Sequence, residues 1–191
     1  PPGRPRTAVN VLPPALPGVL IVEPKVWRDP RGYFFEVYHA KKFAEKGLPR
    51  EFVQDNESFS QKGTVRGLHC QVTKPQGKLV RILSGAVLDV AVDIRRGSPT
   101  FGRWVAVELS SENFRQLYVP PGFAHGFSVL SETAQMAYKC TDFYDAADEI
   151  GVLWSDPALG IDWRVKEPVL SKKDAVYPTL AEAPKLPEFR P

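Results

Sequence analysis

Several things are scarce in this sequence, and each scarcity excludes something. Cysteine occurs twice, at Cys70 and Cys140, each inside a strand-like run. Two such thiols make no disulfide framework, and free buried thiols fit a reducing cytoplasm. No apolar run approaches the roughly 20 residues of a membrane-spanning helix. No signal-peptide pattern stands in the residues given, and no initiator Met precedes Pro1, which reads as a trimmed start. The net charge is only +3 and dispersed, so it makes no footprint for nucleic acid, although converging cations would suit a small anionic ligand. Histidine occurs three times, at His39, His69 and His125, with no His-x-His pair. The sequence therefore lacks the usual ligand pattern of a metal-dependent enzyme of this size. With 191 residues and 43% apolar composition the chain is one domain, or one domain with tails, long enough to bury a proper core.

Helix signals are few and strand signals many. Residues 1–18 carry Pro1, Pro2, Pro5, Pro13, Pro14 and Pro17, the mark of an extended arm. Residues 19–22 form a short apolar strand that Pro24 ends or confines to an edge. Asp29-Pro30-Arg31-Gly32 is a turn, residues 33–38 an aromatic strand, and residues 40–46 a short helix closed by Gly47. Residues 52–60 are too polar for an ordinary strand. They are either a solvated edge or the wall of a pocket, with Gln54 and Asn56 on one face. Short strands then recur at 78–82, 86–94, 104–107, 116–119, 126–130 and 135–144. In the second of these, Leu88, Val90, Val92 and Ile94 share one face and Asp89 and Asp93 the other; in the last, Met136, Tyr138 and Cys140 share a face. Pro120-Pro121-Gly122 turns the chain into His125. Ser171 to Asp174 begins a helical turn capped by Ser171, and the Pro- and Ala-rich remainder is expected on the surface. The pattern predicts an all-β antiparallel sandwich or barrel with short peripheral helices.

The chemistry centres on Arg66-Gly67-Leu68-His69-Cys70-Gln71. Histidine is the default general base near neutral pH. A lone strand histidine is more often a satisfied core residue, but Arg66, Gln71 and Lys78 crowd this one with polar groups that packing does not explain. Simple alternation puts Arg66 and His69 on opposite faces, and Gly67 is where a bulge would reconcile them.

Arg66-Gly67-Leu68-His69, Gln76-Gly77-Lys78-Leu79-Val80-Arg81, residues 89–95, Ser98-Pro99-Thr100-Phe101-Gly102 and Pro121-Gly122-Phe123-Ala124-His125-Gly126-Phe127 follow one another in an order that closely resembles the dTDP-4-dehydrorhamnose 3,5-epimerases. The resemblance runs from about residue 19 to residue 178. It implies a cupin-type jelly roll at 19–178, between the arm at 1–18 and a tail at 179–191. It implies a dTDP-4-keto-6-deoxy sugar nucleotide as substrate in dTDP-rhamnose or deoxysugar biosynthesis, no cofactor and no metal, and a homodimer with exchanged N-terminal strands. By resemblance His69 is the base, Asp174 orients it, Lys78 stabilises the enolate and Tyr138 donates the proton. Arg31, Glu36, Gln54, Asn56, Arg66, His125, Glu149 and Lys173 fall on ligand-binding positions, and Tyr144 on the aromatic that stacks on thymine. His69, Lys78, His125 and Tyr138 are expected to point into one cavity, with residues 33–36 reaching the partner's site. Cys70 stands where the family commonly has an aromatic, which predicts a locally roomier pocket. Inversion at C3 alone or C5 alone, a metal-dependent cupin enzyme and a non-catalytic sugar-binding domain are the competing readings.

Overall fold

The structure is a computed structural model in which residues 9–190 are described. Its strands are β1 (Asn10–Leu12), β2 (Leu20–Glu23), β3 (Trp27–Asp29), β4 (Gly32–Phe34), β5 (Gln54–Gln61), β6 (Val65–Gln71), β7 (Lys78–Ser84), β8 (Ala86–Asp93), β9 (Trp104–Ser110), β10 (Gln116–Val119), β11 (Phe123–Val129), β12 (Thr133–Cys140) and β13 (Glu149–Gly151). A helix, α1 (Ala40–Ala44), and one 3-10 turn at Asp174–Val176 complete the set. Six strands pair in the order β1-β2-β10-β7-β12-β5 and five in the order β13-β6-β11-β8-β9. All of these pairings are antiparallel. The two sheets face each other as a jelly roll, the all-β class that the sequence predicts.

Alternation decides what each face does. Val80 and Ile82 of β7, Leu117 and Val119 of β10 and Met136 of β12 meet Val87 and Ala91 of β8 and Phe123 and Phe127 of β11 in the core between the sheets. The outer face of the five-stranded sheet is apolar too. Leu88, Val90, Val92 and Ile94 pack there against Trp163, Leu180, Ala183 and Leu186. Strand β8 is therefore buried on both faces from Val87 onward. The tail packs on the outside of the sheet with many of its residues exposed, and it buries Leu180, Ala183 and Leu186, because an apolar sheet face left in water would forfeit about 1.5–3 kcal/mol for each large side chain.

The N-terminal arm pairs through β1 onto β2; Pro1, Pro2 and Pro5 lie outside the described residues. The expected strand at 33–38 is only β4, which forms a hairpin with β3 over the predicted turn, with Gly32 at φ +128°. Helix α1 is capped by His39 Nδ1, which accepts from the Lys42 N–H at 3.5 Å, and Phe43 anchors it over Leu79 and Tyr118 on the outer face of the six-stranded sheet. Among the described residues no helix is long and apolar enough to cross a membrane.

Candidate active site

One polar cavity of about 270 Å³ opens between the sheets. The same alternation that fills the core supplies its walls. On the six-stranded sheet Tyr138 stands opposite Val80 on one side and Asn56 on the other, and Cys140 opposite Lys78 and Gln54. Lys78, Gln54, Asn56 and Tyr138 therefore belong to the inner face, beside the apolar core residues. The stretch at 52–60, ambiguous by sequence, is both things: β5 is the edge strand of its sheet with alternate residues exposed, and Gln54 and Asn56 on its inner face wall the cavity.

On the opposite sheet β6 reaches the cavity through a bulge. His69 is paired with His125 and Arg66 with Phe127, so two residues of β6, Gly67 and Leu68, face Gly126. The extra residue turns Arg66 and His69 onto the same inner face. Only glycine fits the bulge. Gly67 has φ +118°, and a Cβ there would lie 2.5 Å from Gly126 Cα and 2.7 Å from the His125 carbonyl oxygen.

His69 Nε2 lies 2.6 Å from Asp174 Oδ1. Asp174 is buried at the start of the 3-10 turn, where its N–H donates to Ser171 Oγ at 3.1 Å. Burial pushes its carboxyl up, but the hydrogen bonds from His69 and Ser171 and the charges of His69 and Lys173 outweigh that and hold it below the usual carboxylate range. An ionised Asp174 accepts the Nε2 proton and leaves the lone pair of neutral His69 on Nδ1. The Tyr177 ring stands edge-on to His69 at 5.8 Å. Burial, and then the Glu149 charge, push its phenol up to about 12.

Across the cavity Lys78 has no ion pair among the described residues. Burial and then Cys140 push the Tyr138 phenol up, with Arg66 opposing, so it is protonated at neutral pH. Lys173 pairs with Glu149.

Of the predicted residues, His69, Lys78, Tyr138, Gln54, Asn56, Tyr144 and Glu149 line the cavity. Asp174 and Lys173 are bonded to two of them. Arg66 donates to Ser60 Oγ at 3.1 Å and to the Phe59 carbonyl at 3.3 Å, and its charge reaches Tyr138. Three predicted residues are elsewhere. Arg31 lies on the exposed hairpin and pairs with Asp29 at 2.6 Å, and Glu36 pairs with Lys42 at 2.8 Å. His125 is buried and bonded to Asp89 Oδ1 at 2.9 Å, and it is not a lining residue; a carboxylate on the same inner face has taken its ring. Gln76 heads one of the motifs that carry the resemblance but has no role assigned by it, and Tyr177 has no signal in the sequence. Gln71, which stands two residues from His69, could have been placed by alternation. Cys70 lines the cavity but is packed with Val65 and Leu68 in the outer apolar cluster. Burial pushes its thiol up to about 12. Among the described residues no group of three His, Cys, Asp or Glu side chains gathers as a metal-ligand set.

A jelly roll that sets a carboxylate-backed histidine on one wall of a polar cavity, and a lysine and a protonated phenol on the other, is equipped for proton transfer beside a carbonyl. Known proteins narrow that class. The family model for dTDP-4-dehydrorhamnose 3,5-epimerase matches residues 13–182, and the chain belongs to that family of isomerases. The dTDP-4-dehydrorhamnose 3,5-epimerase of Shigella flexneri is 55% identical over 168 residues, 87% of this chain and 93% of that protein. The one from Pseudomonas aeruginosa is 53% identical over 171 residues, 88% of this chain and 94% of that protein. The crystal structure of dTDP-6-deoxy-D-glucose-3,5-epimerase from Legionella pneumophila, in complex with dTDP-4-keto-L-rhamnose, superposes with a TM-score of 0.93 at 50% identity, covering 96% of this chain and 100% of that one.

Proposed function

We propose that the chain inverts C3 and C5 of dTDP-4-dehydro-6-deoxy-D-glucose to give dTDP-4-dehydro-L-rhamnose, in dTDP-rhamnose biosynthesis. The observation that carries this reading is the pairing of His69 with Asp174 on one wall, opposite Lys78 and Tyr138 on the other. The 4-keto group acidifies the hydrogens on both neighbouring carbons. His69 Nδ1 takes the proton, and the C–H electron pair moves into the ketone to form an enolate. Lys78, a cation with its charge uncommitted, stabilises the enolate oxygen. Tyr138 returns a proton to carbon from the opposite face, and the carbonyl re-forms. Asp174 holds the imidazole tautomer and stabilises the imidazolium.

The nucleotide end falls to Tyr144, whose exposed ring suits a base face, with Arg66, Lys173, Glu149, Gln54 and Asn56 meeting diphosphate and sugar. Arg31 and Glu36 take part from a second copy of the chain. Tyr33 and Phe34 are exposed on the same hairpin, apart from the protomer's own cavity, and a homodimer that exchanges N-terminal strands would carry them to the partner's site. A fully active monomer would count against that arrangement.

The reaction is tested by incubating the protein with dTDP-4-dehydro-6-deoxy-D-glucose in heavy water and reading deuterium position by position. Label at both C3 and C5 with the rhamno product supports the reading. Label and inversion at one centre makes the protein a C3-only or C5-only epimerase, and no label at either centre refutes the reading.

A further inference from the structure

Tyr144 is not on a strand. Strand β12 stops at Cys140 and β13 starts at Glu149, so Tyr144 rides on a loop between them, exposed together with Phe143. An exposed loop takes its shape from the hydrogen bonds its backbone can find. Three glutamine side chains provide them here. Gln54 Oε1 accepts from the Tyr144 N–H at 2.9 Å, and Gln76 Nε2 donates to the Asp142 carbonyl at 2.7 Å. Gln71 does the most. Its Nε2 donates to the Lys74 carbonyl at 2.8 Å and the Phe143 carbonyl at 3.2 Å, and its Oε1 accepts from the Asp145 N–H at 2.9 Å. Gln71 is only 4% exposed. It therefore grips the backbone on both sides of Tyr144, and only a carboxamide of this length offers donors and an acceptor at once.

We propose that Gln71 is a positioning residue for the nucleobase. Its carboxamide clasps the loop at Phe143 and Asp145 and so fixes the Tyr144 ring where the base stacks. This rests on the reading of Tyr144 as the base platform. The competing role for Gln71, which also lines the cavity, is direct contact with the sugar.

A double-mutant cycle with dTDP as the probe separates these. Loss of one base–aromatic stack corresponds to about 5- to 150-fold in affinity, and Tyr144→Ala is expected to weaken dTDP binding within that range. Gln71→Met should weaken it by a large part of the same factor. The double variant should be no weaker than Tyr144→Ala alone, because the clasp has nothing left to position. KM for the sugar nucleotide should rise in Gln71→Met, with kcat falling far less. Where Gln71→Met does not fold, Gln71→Asn replaces it; it keeps both polar groups but draws them back by one methylene, and it is held to the same outcomes. If Gln71 variants bind dTDP as tightly as the parent while Tyr144→Ala does not, the clasp is refuted. Losses that multiply in the double variant also refute it, in favour of direct contact. Normal dTDP binding by Tyr144→Ala overturns the proposal by another route, since it is then the base platform itself that fails.

Discussion

Tyr138→Phe removes a single oxygen from the cavity. The ring packs against the core between the sheets, and its hydroxyl makes no hydrogen bond among the described residues, so no protein group loses a partner. Folding and dTDP binding should therefore survive. The chemistry should not survive evenly. His69 and Tyr138 stand on different sheets, so proton removal and proton return belong to opposite walls. A positioned acid contributes about 10²- to 10⁴-fold, or roughly 3–5 kcal/mol of barrier. Without it His69 still takes the proton and the enolate forms on the substrate, and the carbon is reprotonated from the face its proton left. In heavy water, C3 and C5 should then acquire deuterium at rates close to the parent's, while inversion of one centre, C5, falls by about 10²- to 10⁴-fold. The ratio of exchange to inversion, read by proton NMR, is the decisive quantity. Equal losses of exchange and inversion would falsify the assignment of Tyr138 as the late donor.

Three further outcomes follow from the same geometry. Asp174→Asn can present an amide N–H to His69 and reverse its tautomer, so exchange and inversion should fall together by up to roughly 10⁴-fold, with dTDP affinity retained; exchange at the parent rate would remove Asp174 from the mechanism. Burial pushes the Asp93 carboxyl up, but hydrogen bonds from Arg95, Ser98 and Thr100 outweigh that and hold it at about 2. Its folded value lies below its unfolded one, so its contribution, about 2 kcal/mol, is present above pH ~4 and lost as pH falls toward 2; urea melts of Asp93→Asn should lose that slope, and parallel curves for parent and variant would contradict the argument. Leu186→Ala should cost about 2–5 kcal/mol in the same melts, because Leu186 packs with Val90 and Val92 in the outer cluster; a change within noise would mean that the tail is not part of the core.

The legible parts of this fold are those that local rules decide. Period-two alternation found the inner and outer faces of β8 and grouped Gln54 with Asn56. The turn at Asp29 to Gly32 is visible because that sequence has turn chemistry in any context. What escaped depends on distant partners. No local signal marks Leu180, Ala183 and Leu186 as core, because the sheet face that buries them is supplied by β8, far away in sequence. His125 looked like a cavity residue, and only the pairing of β11 with β8 reveals that Asp89 holds it. The bulge at Gly67 lies between these cases. The sequence showed that Arg66 and His69 could not share a face by alternation; the register against β11 shows how they do.

Hydrogen-bond satisfaction divides the site into two kinds of residue. Gln54 and Gln71 bond the chain through both ends of the carboxamide, Gln76 through Nε2 and Asp174 through Oδ1. Lys78 Nζ, the Tyr138 hydroxyl and His69 Nδ1 have no such partner among the described residues. None of the three is among the buried side-chain atoms left without a partner, so they open onto the solvent-accessible cavity rather than being orphaned in the core. The unsatisfied three are a cation, a proton donor and a proton acceptor, set on two facing walls, and enolate chemistry at a ketone needs those three roles. Outside the cavity Asp89 Oδ2 is, among the described residues, a buried oxygen without a partner. It belongs to a carboxylate whose other oxygen holds His125, the cross-strand neighbour of His69. The satisfied groups are the frame, and the unsatisfied ones are where substrate completes the structure.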